Sequence, residues 1–170
     1  AESKNIPITE ADKDILTMSC LSNKHQGVVC EINSILNVDF NLDMYLHNKK
    51  TPLIIIFDSI QDPRNLGLCI RSANAFGVSL VIKKKSQSCP ITPLVHKAAS
   101  GGLQGINLFE SNNLAAIVNK LKKNNIFILG AHHNAKNEIA ILQEDNLKCG
   151  CAIIVGSEGL GISKSLLKLC

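Results

Sequence analysis

A run of five apolar residues, Leu53-Ile-Ile-Ile-Phe57, constrains the fold of this chain more than any other segment. It is continuous, rich in β-branched residues and too short for a helix, so it predicts a strand that is buried on both faces. Strands of this kind occur in parallel sheets, because helices cover both faces of such sheets. The run therefore predicts an α/β fold.

Segments with strand and helix character alternate along the rest of the chain. Strand-like runs occupy residues 79–82, 106–109, 126–129 and 151–155, and helical periodicity occupies 66–76, 94–99 and 114–121 and begins again at 162. This alternation predicts right-handed crossovers and a mostly parallel sheet with helices on both faces. Functional sites in such folds lie beyond the carboxyl ends of the strands, which here means residues 58–71, 130–133 and 156–161.

Residues 1–50 differ in character from the rest. They are polar and weakly patterned apart from a strand-like run at Gly27–Ile32, and we expect them to form an N-terminal arm or linker. Residues 51–170 are predicted to form one domain, which agrees with the usual size of domains.

The composition indicates in which compartment the protein works. The longest apolar run is far shorter than the roughly 20 residues that cross a bilayer, and the first residues lack the pattern of an export signal. The seven cysteines are odd in number and scattered, which indicates reduced thiols. Cys149 and Cys151 have no second cysteine pair at zinc spacing, so no metal site is predicted. We expect a cytoplasmic protein that contacts neither membrane nor metal.

The formal net charge of +4 is compatible with a polyanionic partner but does not require one. Lysines cluster at the ends of two apolar segments, in residues 83–85 and 120–123. A phosphate-binding surface and an ordinary solvated end of a strand or helix are both open interpretations of each cluster.

Polar side chains follow the first predicted strand, in the stretch from Asp58 to Gly77. Asp62, Asn65 and Arg71 bring a carboxylate, an amide and a guanidinium to the mouth of that strand, which suits catalysis or binding. A structural interpretation is also open, in which Asn65 caps the helix and Arg71 pairs with Asp58 or Asp62 at the surface.

A second polar segment, Gly156-Ser-Glu158-Gly-Leu-Gly161, directly follows the predicted strand at 151–155. Glycines at these positions allow backbone amides to approach a ligand closely, next to the N-terminus of the helix that follows. The spacing matches neither the dinucleotide fingerprint nor a phosphate loop, so an unrelated nucleotide-binding enzyme is poorly supported.

Taken in this order, the two segments resemble the SpoU family of RNA ribose 2′-O-methyltransferases, which belong to the trefoil-knotted SPOUT class. The family's first motif, Asp-Pro-x-Asn-x-Gly-x-x-x-Arg-x-Ala, matches residues 62–73, and its second, Gly-x-Glu-Gly-x-Gly, matches residues 156–161. Residues 97–102, Lys-Ala-Ala-Ser-Gly-Gly, resemble a further family segment. Residues 25–29, His-Gln-Gly-Val-Val, resemble the junction before the catalytic domain in the branch that modifies a guanosine of large-subunit ribosomal RNA.

The resemblance implies a SPOUT-type fold and methyl transfer from S-adenosylmethionine to a ribose 2′-hydroxyl, with ribosomal RNA favoured over transfer RNA as substrate. It assigns Asn65, Arg71 and Glu158 to the catalytic site, and it implies a homodimer. By the same resemblance, the residues that line the S-adenosylmethionine pocket are Leu129, Gly130, Ala131, Gly156 and Gly161.

The family's third motif is expected after Cys170, where the sequence ends. The resemblance thus implies a catalytic domain, residues 51–170, that is truncated before its C-terminal knot segment, and a donor pocket that lacks one wall. Two functions follow as alternatives. One is an active RNA methyltransferase, and the other is a catalytically impaired RNA-binding or ribosome-assembly protein that keeps the fold.

Aromatic residues make up 4% of the chain, so base stacking contributes little to the expected RNA binding. We expect binding to depend on phosphate contacts from Lys83–Lys85, Arg64 and Arg71.

Overall fold

A computed structural model of the chain describes residues 6–20, 22–31, 40–135 and 148–170. The chain divides into two compact units, Ala1–Ser34 and Ile35–Cys170. None of the described helices is both long and apolar enough to cross a membrane.

The described part of the first unit contains the helix α1 (Lys13–Cys20), none of whose residues is buried. The strand predicted at Gly27–Ile32 is wrong for residues 27–31, which form no strand, while residue 32 lies outside the described ranges. Gln26 and Gly27 have left-handed φ values of 54° and 82°, so the chain turns where the strand was expected to begin.

The second unit begins with the helix α2 (Leu42–Asn48) and continues as an alternation of strands and helices, which confirms the predicted pattern. Asn41 caps α2 by accepting a hydrogen bond from the backbone N–H of Met44. The remaining elements are β1 (Leu53–Asp58), α3 (Pro63–Ala75), β2 (Leu80–Lys84), α4 (Pro93–Ala99), a 3₁₀ turn (Gly102–Gly105), β3 (Asn107–Ser111), α5 (Leu114–Lys123), β4 (Phe127–Ala131), β5 (Cys151–Gly156) and α6 (Lys164–Leu167).

The strands form one five-stranded sheet in the order β3-β2-β1-β5-β4, and every pairing is parallel. This confirms the predicted parallel sheet. The chain that leaves β1 enters α3 on one face of the sheet, whereas the chain that leaves β5 enters α6 on the other. The gap between the carboxyl ends of β1 and β5 is therefore the topological switch point, where ligands bind in open α/β sheets.

Helices cover both faces of the sheet, as predicted. On what we call the first face, Ile54 and Ile56 of β1 pack with buried residues of α2, α5 and α6. On the second face, Phe57 of β1 and Val81 of β2 pack with buried residues of α3 and α4. The alternation of side chains along β1 and β2 thus serves two separate hydrophobic clusters.

Helices α3 and α4 approach each other closely at Gly67. A Cβ atom at this position would lie 2.5 Å from the Ala98 Cβ and 2.7 Å from the carbonyl oxygen of Val95. Leu66 and Ile70, on the same helix, are fully buried, so α3 cannot move away without opening the second-face cluster. Close packing of the two helices therefore requires the glycine of the first motif.

Gly67→Ala is expected to destabilise the protein by about 1–3 kcal/mol, because the added methyl group forces α3 and α4 apart. Urea unfolding followed by circular dichroism measures the change. The matched control is Ser72→Ala on the exposed side of α3, which should change the free energy of unfolding by less than about 0.5 kcal/mol. An unchanged unfolding midpoint for Gly67→Ala would contradict this packing.

Candidate active site

The carboxyl ends of β1, β5 and β4 lie side by side at one edge of the sheet. Asp58, the last residue of β1, stands opposite Gly156, the last residue of β5. Ala131, the last residue of β4, stands opposite Val155. The two polar segments of the sequence therefore start from adjacent strands and meet at the switch point.

Asp62 starts α3 and fixes the orientation of its first turn. Its Oδ1 accepts hydrogen bonds from the backbone N–H groups of Arg64 at 2.6 Å and Asn65 at 3.2 Å. Pro63 occupies the first turn, where its missing N–H removes no helical hydrogen bond. Because Asp62 is the cap, the Asn65 side chain is available for a partner elsewhere.

That partner is Glu158 in the turn after β5. The Asn65 Nδ2 donates a hydrogen bond to the Glu158 Oε1, which connects the first motif to the second across the switch point. Asn65 is half-buried and Glu158 is exposed, so the carboxylate keeps one side open to solvent or a ligand. The structure thus brings together two of the three predicted catalytic residues.

Cys69 also faces this carboxylate. It lies four residues after Asn65 and therefore on the same side of α3. Burial raises the pKa of the Cys69 thiol, and the negative charge of Glu158 raises it further. The charge of Glu158 therefore lies over the side of α3 that carries Asn65 and Cys69.

The turn Gly156–Gly161, which we call the glycine turn, is closed at its base. The Ser157 N–H donates to the Gly161 carbonyl at 3.2 Å, and the Gly161 N–H donates to the Ser157 carbonyl at 2.8 Å. A Cβ at Gly156 would lie 2.0 Å from the carbonyl carbon of Gly161, so this close approach requires a glycine. Glu158 and Leu160 stand at the exposed tip, where Leu160 is 93% exposed.

Arg71 lies apart from the contact between Asn65 and Glu158. It is exposed on α3, and its guanidinium forms no hydrogen bond or ion pair with any residue that the structure describes. It lies six positions after Asn65, which on an ideal helix is about 9 Å along the axis and about 120° around it. The surface pairing of Arg71 with Asp58 or Asp62 that the sequence allowed is not formed.

Asp58 takes a part in the site that the sequence analysis missed. Its carboxylate is only 4% exposed, and its Oδ2 accepts a hydrogen bond from the backbone N–H of Ser163 at 2.8 Å. The Oδ1 accepts a second hydrogen bond from the Ser59 hydroxyl at 3.2 Å. The sequence signal is the position of Asp58 at the carboxyl end of a buried strand, where the sites of such folds lie.

The predicted pocket residues of β4 lie next to the glycine turn along the same edge. Leu129 is half-buried and Ala131 is exposed. Gly130 packs closely, because a Cβ there would lie 2.8 Å from the Cys170 Sγ and 3.5 Å from the Ile162 Cδ1.

The prediction that Lys83 contacts phosphate is wrong. Its side chain is 1% exposed, and its Nζ donates hydrogen bonds to the Glu110 Oε1 at 2.7 Å and the Lys84 carbonyl at 3.2 Å. Strand alternation directs Lys83 to the covered second face, together with Val81. Lys85 is exposed.

The second lysine cluster is the solvated end of α5. Lys120 pairs with Asp43 at 2.6 Å, and the Lys122 Nζ donates to the Leu169 carbonyl at 3.1 Å. Because α5 leads into the start of β4, this cluster lies at the amino ends of the strands, away from the switch point.

All seven cysteines have free thiols. In the described ranges, no group of three or more His, Cys, Asp or Glu residues is arranged to hold a metal ion.

The sequence model of the SpoU rRNA Methylase family matches residues 52–170. The chain belongs to this family. Relatives named 23S rRNA (guanosine-2′-O-)-methyltransferase RlmB are 37% identical over 156 residues in Coxiella burnetii and 34% identical over 171 residues in Blochmanniella floridana. These matches confirm the resemblance inferred from the two motifs.

The chain spans only part of the length of these SpoU relatives. The two matches cover 90% and 98% of this chain, but 61% and 65% of the relatives from Coxiella burnetii and Blochmanniella floridana.

Solved structures of SpoU enzymes share the fold. The SpoU methyltransferase AviRb from Streptomyces viridochromogenes, in complex with the cofactor AdoMet, superposes with a TM-score of 0.66 at 19% identity, covering 76% of this chain and 49% of that one. An rRNA methyltransferase from Sinorhizobium meliloti gives a TM-score of 0.62 at 20% identity, covering 74% of this chain and 48% of that one. At these identities the likeness establishes the fold, which is the predicted SPOUT type.

Glu158→Gln is expected to lower the pKa of the Cys69 thiol, because it removes the negative charge that disfavours the thiolate. At a fixed pH near 8.5, Cys69 should then react faster with iodoacetamide, by up to about three-fold, which peptide mass spectrometry measures. Cys170 is the matched control, since the pKa of its thiol is raised by partial burial and lowered by the charge of Lys122, with no contribution from Glu158. Equal acceleration at both cysteines would contradict the position of Glu158.

Proposed function

We propose that this protein transfers a methyl group from S-adenosylmethionine to a ribose 2′-hydroxyl of RNA, with ribosomal RNA as the favoured substrate. The observation that carries the proposal is the contact of Asn65 with Glu158 at the switch point of a SpoU-family sheet. The names of the relatives, which act on 23S rRNA, support the substrate class.

The methyl donor would lie along the carboxyl ends of β4 and β5. Those that would hold S-adenosylmethionine are Leu129, Gly130, Ala131, Gly156 and Gly161. A Cβ at Gly161 would meet nothing within 4 Å, so the backbone of the glycine turn has open space beside it. When bound, S-adenosylmethionine supplies a methyl carbon on a positively charged sulfur.

Asn65 and Glu158 would contribute orientation. A displacement at a methyl carbon requires the attacking oxygen and the carbon to be held within near-attack distance. The hydrogen bond between the two side chains fixes the Glu158 carboxylate at the rim of the site, where one side of it is open to a ribose hydroxyl. Catalysis by these residues is thus mainly a matter of position.

Arg71 would act as a fixed cation. An arginine guanidinium stays positively charged near neutral pH, so it is poorly suited to accept the proton of the ribose hydroxyl. Its exposed guanidinium, which has no partner among the described residues, is suited to hold an RNA phosphate or to stabilise the developing alkoxide. The proton would leave through another group or through water.

RNA binding would depend on exposed cations near the switch point. Arg64 and Arg71 are exposed on α3, and Lys85 is exposed after β2. With few aromatic side chains available, phosphate contacts would supply most of the affinity.

The proposal also includes a homodimer and a cytoplasmic location. The seven free thiols support a reducing compartment.

Methyl transfer from tritiated S-adenosylmethionine to 23S rRNA transcripts and to transfer RNA tests the proposed function. Arg71→Lys should lower kcat by about 10²-fold or more, because lysine lacks the planar fork that binds two oxygens. Ser72→Ala, the adjacent exposed position, is the matched control and should retain wild-type turnover. Near-normal turnover of Arg71→Lys would refute the fixed-cation role. RNA binding without methylation by the wild-type protein would favour the catalytically impaired alternative.

The affinity for RNA should fall steeply with salt, because phosphate contacts release counterions. Arg64→Ala and Lys85→Ala should each reduce the slope of log K against log salt by about 0.7–0.9, as filter binding at several salt concentrations measures. Lys123→Ala, at the opposite edge of the sheet, is the matched control and should leave the slope unchanged. A slope that is insensitive to both variants would exclude these phosphate contacts.

A further inference from the structure

Both ends of the glycine turn lie next to one residue of β1, Asp58. Gly156, where the turn begins, pairs with Asp58 in the sheet. Ser163, two residues after the turn, donates its backbone N–H to the Asp58 Oδ2 at 2.8 Å across 105 residues of sequence. Asp58 therefore contacts the strand that enters the turn and the segment that leaves it.

No cation within the described residues pairs with the buried carboxylate of Asp58. The ion pairs between described residues join Lys83 to Glu110 and Lys120 to Asp43. A buried carboxylate without a cation is costly unless its oxygens accept hydrogen bonds. The hydrogen bonds from Ser163 and the Ser59 hydroxyl are its compensation, so its position is coupled to the exit of the turn.

Asp58 and Asn65 hold the turn from opposite faces of the sheet. The chain that Asp58 holds leads directly from Ile162, which is buried in the first-face cluster, into α6. Asn65 projects from α3, whose buried residues belong to the second-face cluster, and binds Glu158. The turn is thus restrained at its tip from one face and at its exit from the other.

We propose that Asp58 is a positioning residue, which holds the exit of the glycine turn so that Glu158 and the donor-binding backbone keep their places. This role rests on the proposed methyl transfer. Asp58 acts through the Ser163 N–H and does not touch the substrate. The role needs a hydrogen-bond acceptor at this position and does not need a negative charge.

Three variants test whether the hydrogen bond from the Ser163 N–H to Asp58, rather than the charge of Asp58, holds the exit of the turn. Asp58→Ala removes the acceptor, and Asp58→Asn keeps an oxygen that can accept from Ser163. Ser163→Pro removes the N–H and also the hydroxyl, which lies 3.3 Å from the Ser165 Oγ, while the φ of −58° suits proline. Ser163→Ala removes the same hydroxyl but keeps the N–H, so it is the matched control.

Hydrogen exchange of the Ser163 amide, followed by NMR, is the first measurement. We expect exchange to accelerate by about ten-fold or more in Asp58→Ala, as for loss of a charge-assisted hydrogen bond, and by much less in Asp58→Asn. Val118→Ala, a core truncation in α5, controls for general loss of stability. Unchanged exchange in Asp58→Ala, relative to this control, would overturn the proposal whether or not the protein is a methyltransferase.

Donor binding and turnover are the second measurement. Asp58→Ala and Ser163→Pro should each weaken S-adenosylmethionine binding in calorimetry and lower kcat by about ten-fold or more. Asp58→Asn and Ser163→Ala should retain most of the donor affinity and most of the turnover. The double variant Asp58→Ala with Ser163→Pro should lose little more than either alone, because both remove one interaction. Full additivity would overturn the proposal. An active wild type whose Asp58→Ala variant keeps full turnover would refute the positioning role and leave the proposed function intact.

Discussion

The parallel pairing of β1 with β5 is the interaction on which the rest of the structure depends. It joins six residue pairs, from Leu53 with Cys151 to Asp58 with Gly156. Pairing across so long a stretch of chain carries a loop-closure cost, which burial of these two inner strands on both faces offsets. Because the pairing ends at Asp58 and Gly156, it places the start of the glycine turn beside the start of the segment that leads into α3. The contact of Asn65 with Glu158 is a consequence of that register.

Several residues of the two family motifs here serve the backbone, and three polar side chains do not. Asp62 and Pro63 start α3, Gly67 lets α4 approach it, and Gly156 lets the turn after β5 close on Gly161. These roles explain the residue types through steric and capping requirements. The side chains that remain, Asn65, Glu158 and Arg71, are those that face the switch point or solvent. The two motifs thus serve largely to bring Asn65 and Glu158 into contact at the switch point, while Arg71 lies apart on α3.

Two buried charges at the carboxyl edge of the sheet are stabilised in different ways. Lys83 pairs with Glu110 on the neighbouring strand, which satisfies both ions away from the switch point. Asp58 instead accepts hydrogen bonds from a hydroxyl and a backbone N–H, and the latter belongs to the segment that follows the glycine turn. An ion pair between adjacent strands is local to the sheet. A carboxylate that binds a distant backbone group connects two loops, and this is why Asp58 bears on the geometry of the site.

The sequence by itself determined the kinds of elements and their order, because hydrophobic periodicity is a local property. The continuous run at Leu53–Phe57 and the alternation after it were sufficient for a parallel α/β fold, and the two motifs were sufficient for the family. Only the tertiary structure decided which strands are neighbours, and with that the contact of Asn65 with Glu158, the burial of Lys83 and the partner of Asp58. The strand expected at Gly27–Ile32 is wrong at residues 27–31, where the left-handed φ values of Gln26 and Gly27 turn the chain. The contacts of Asn65, Lys83 and Asp58, in contrast, join groups far apart in the sequence, whose meeting depends on sheet order and register.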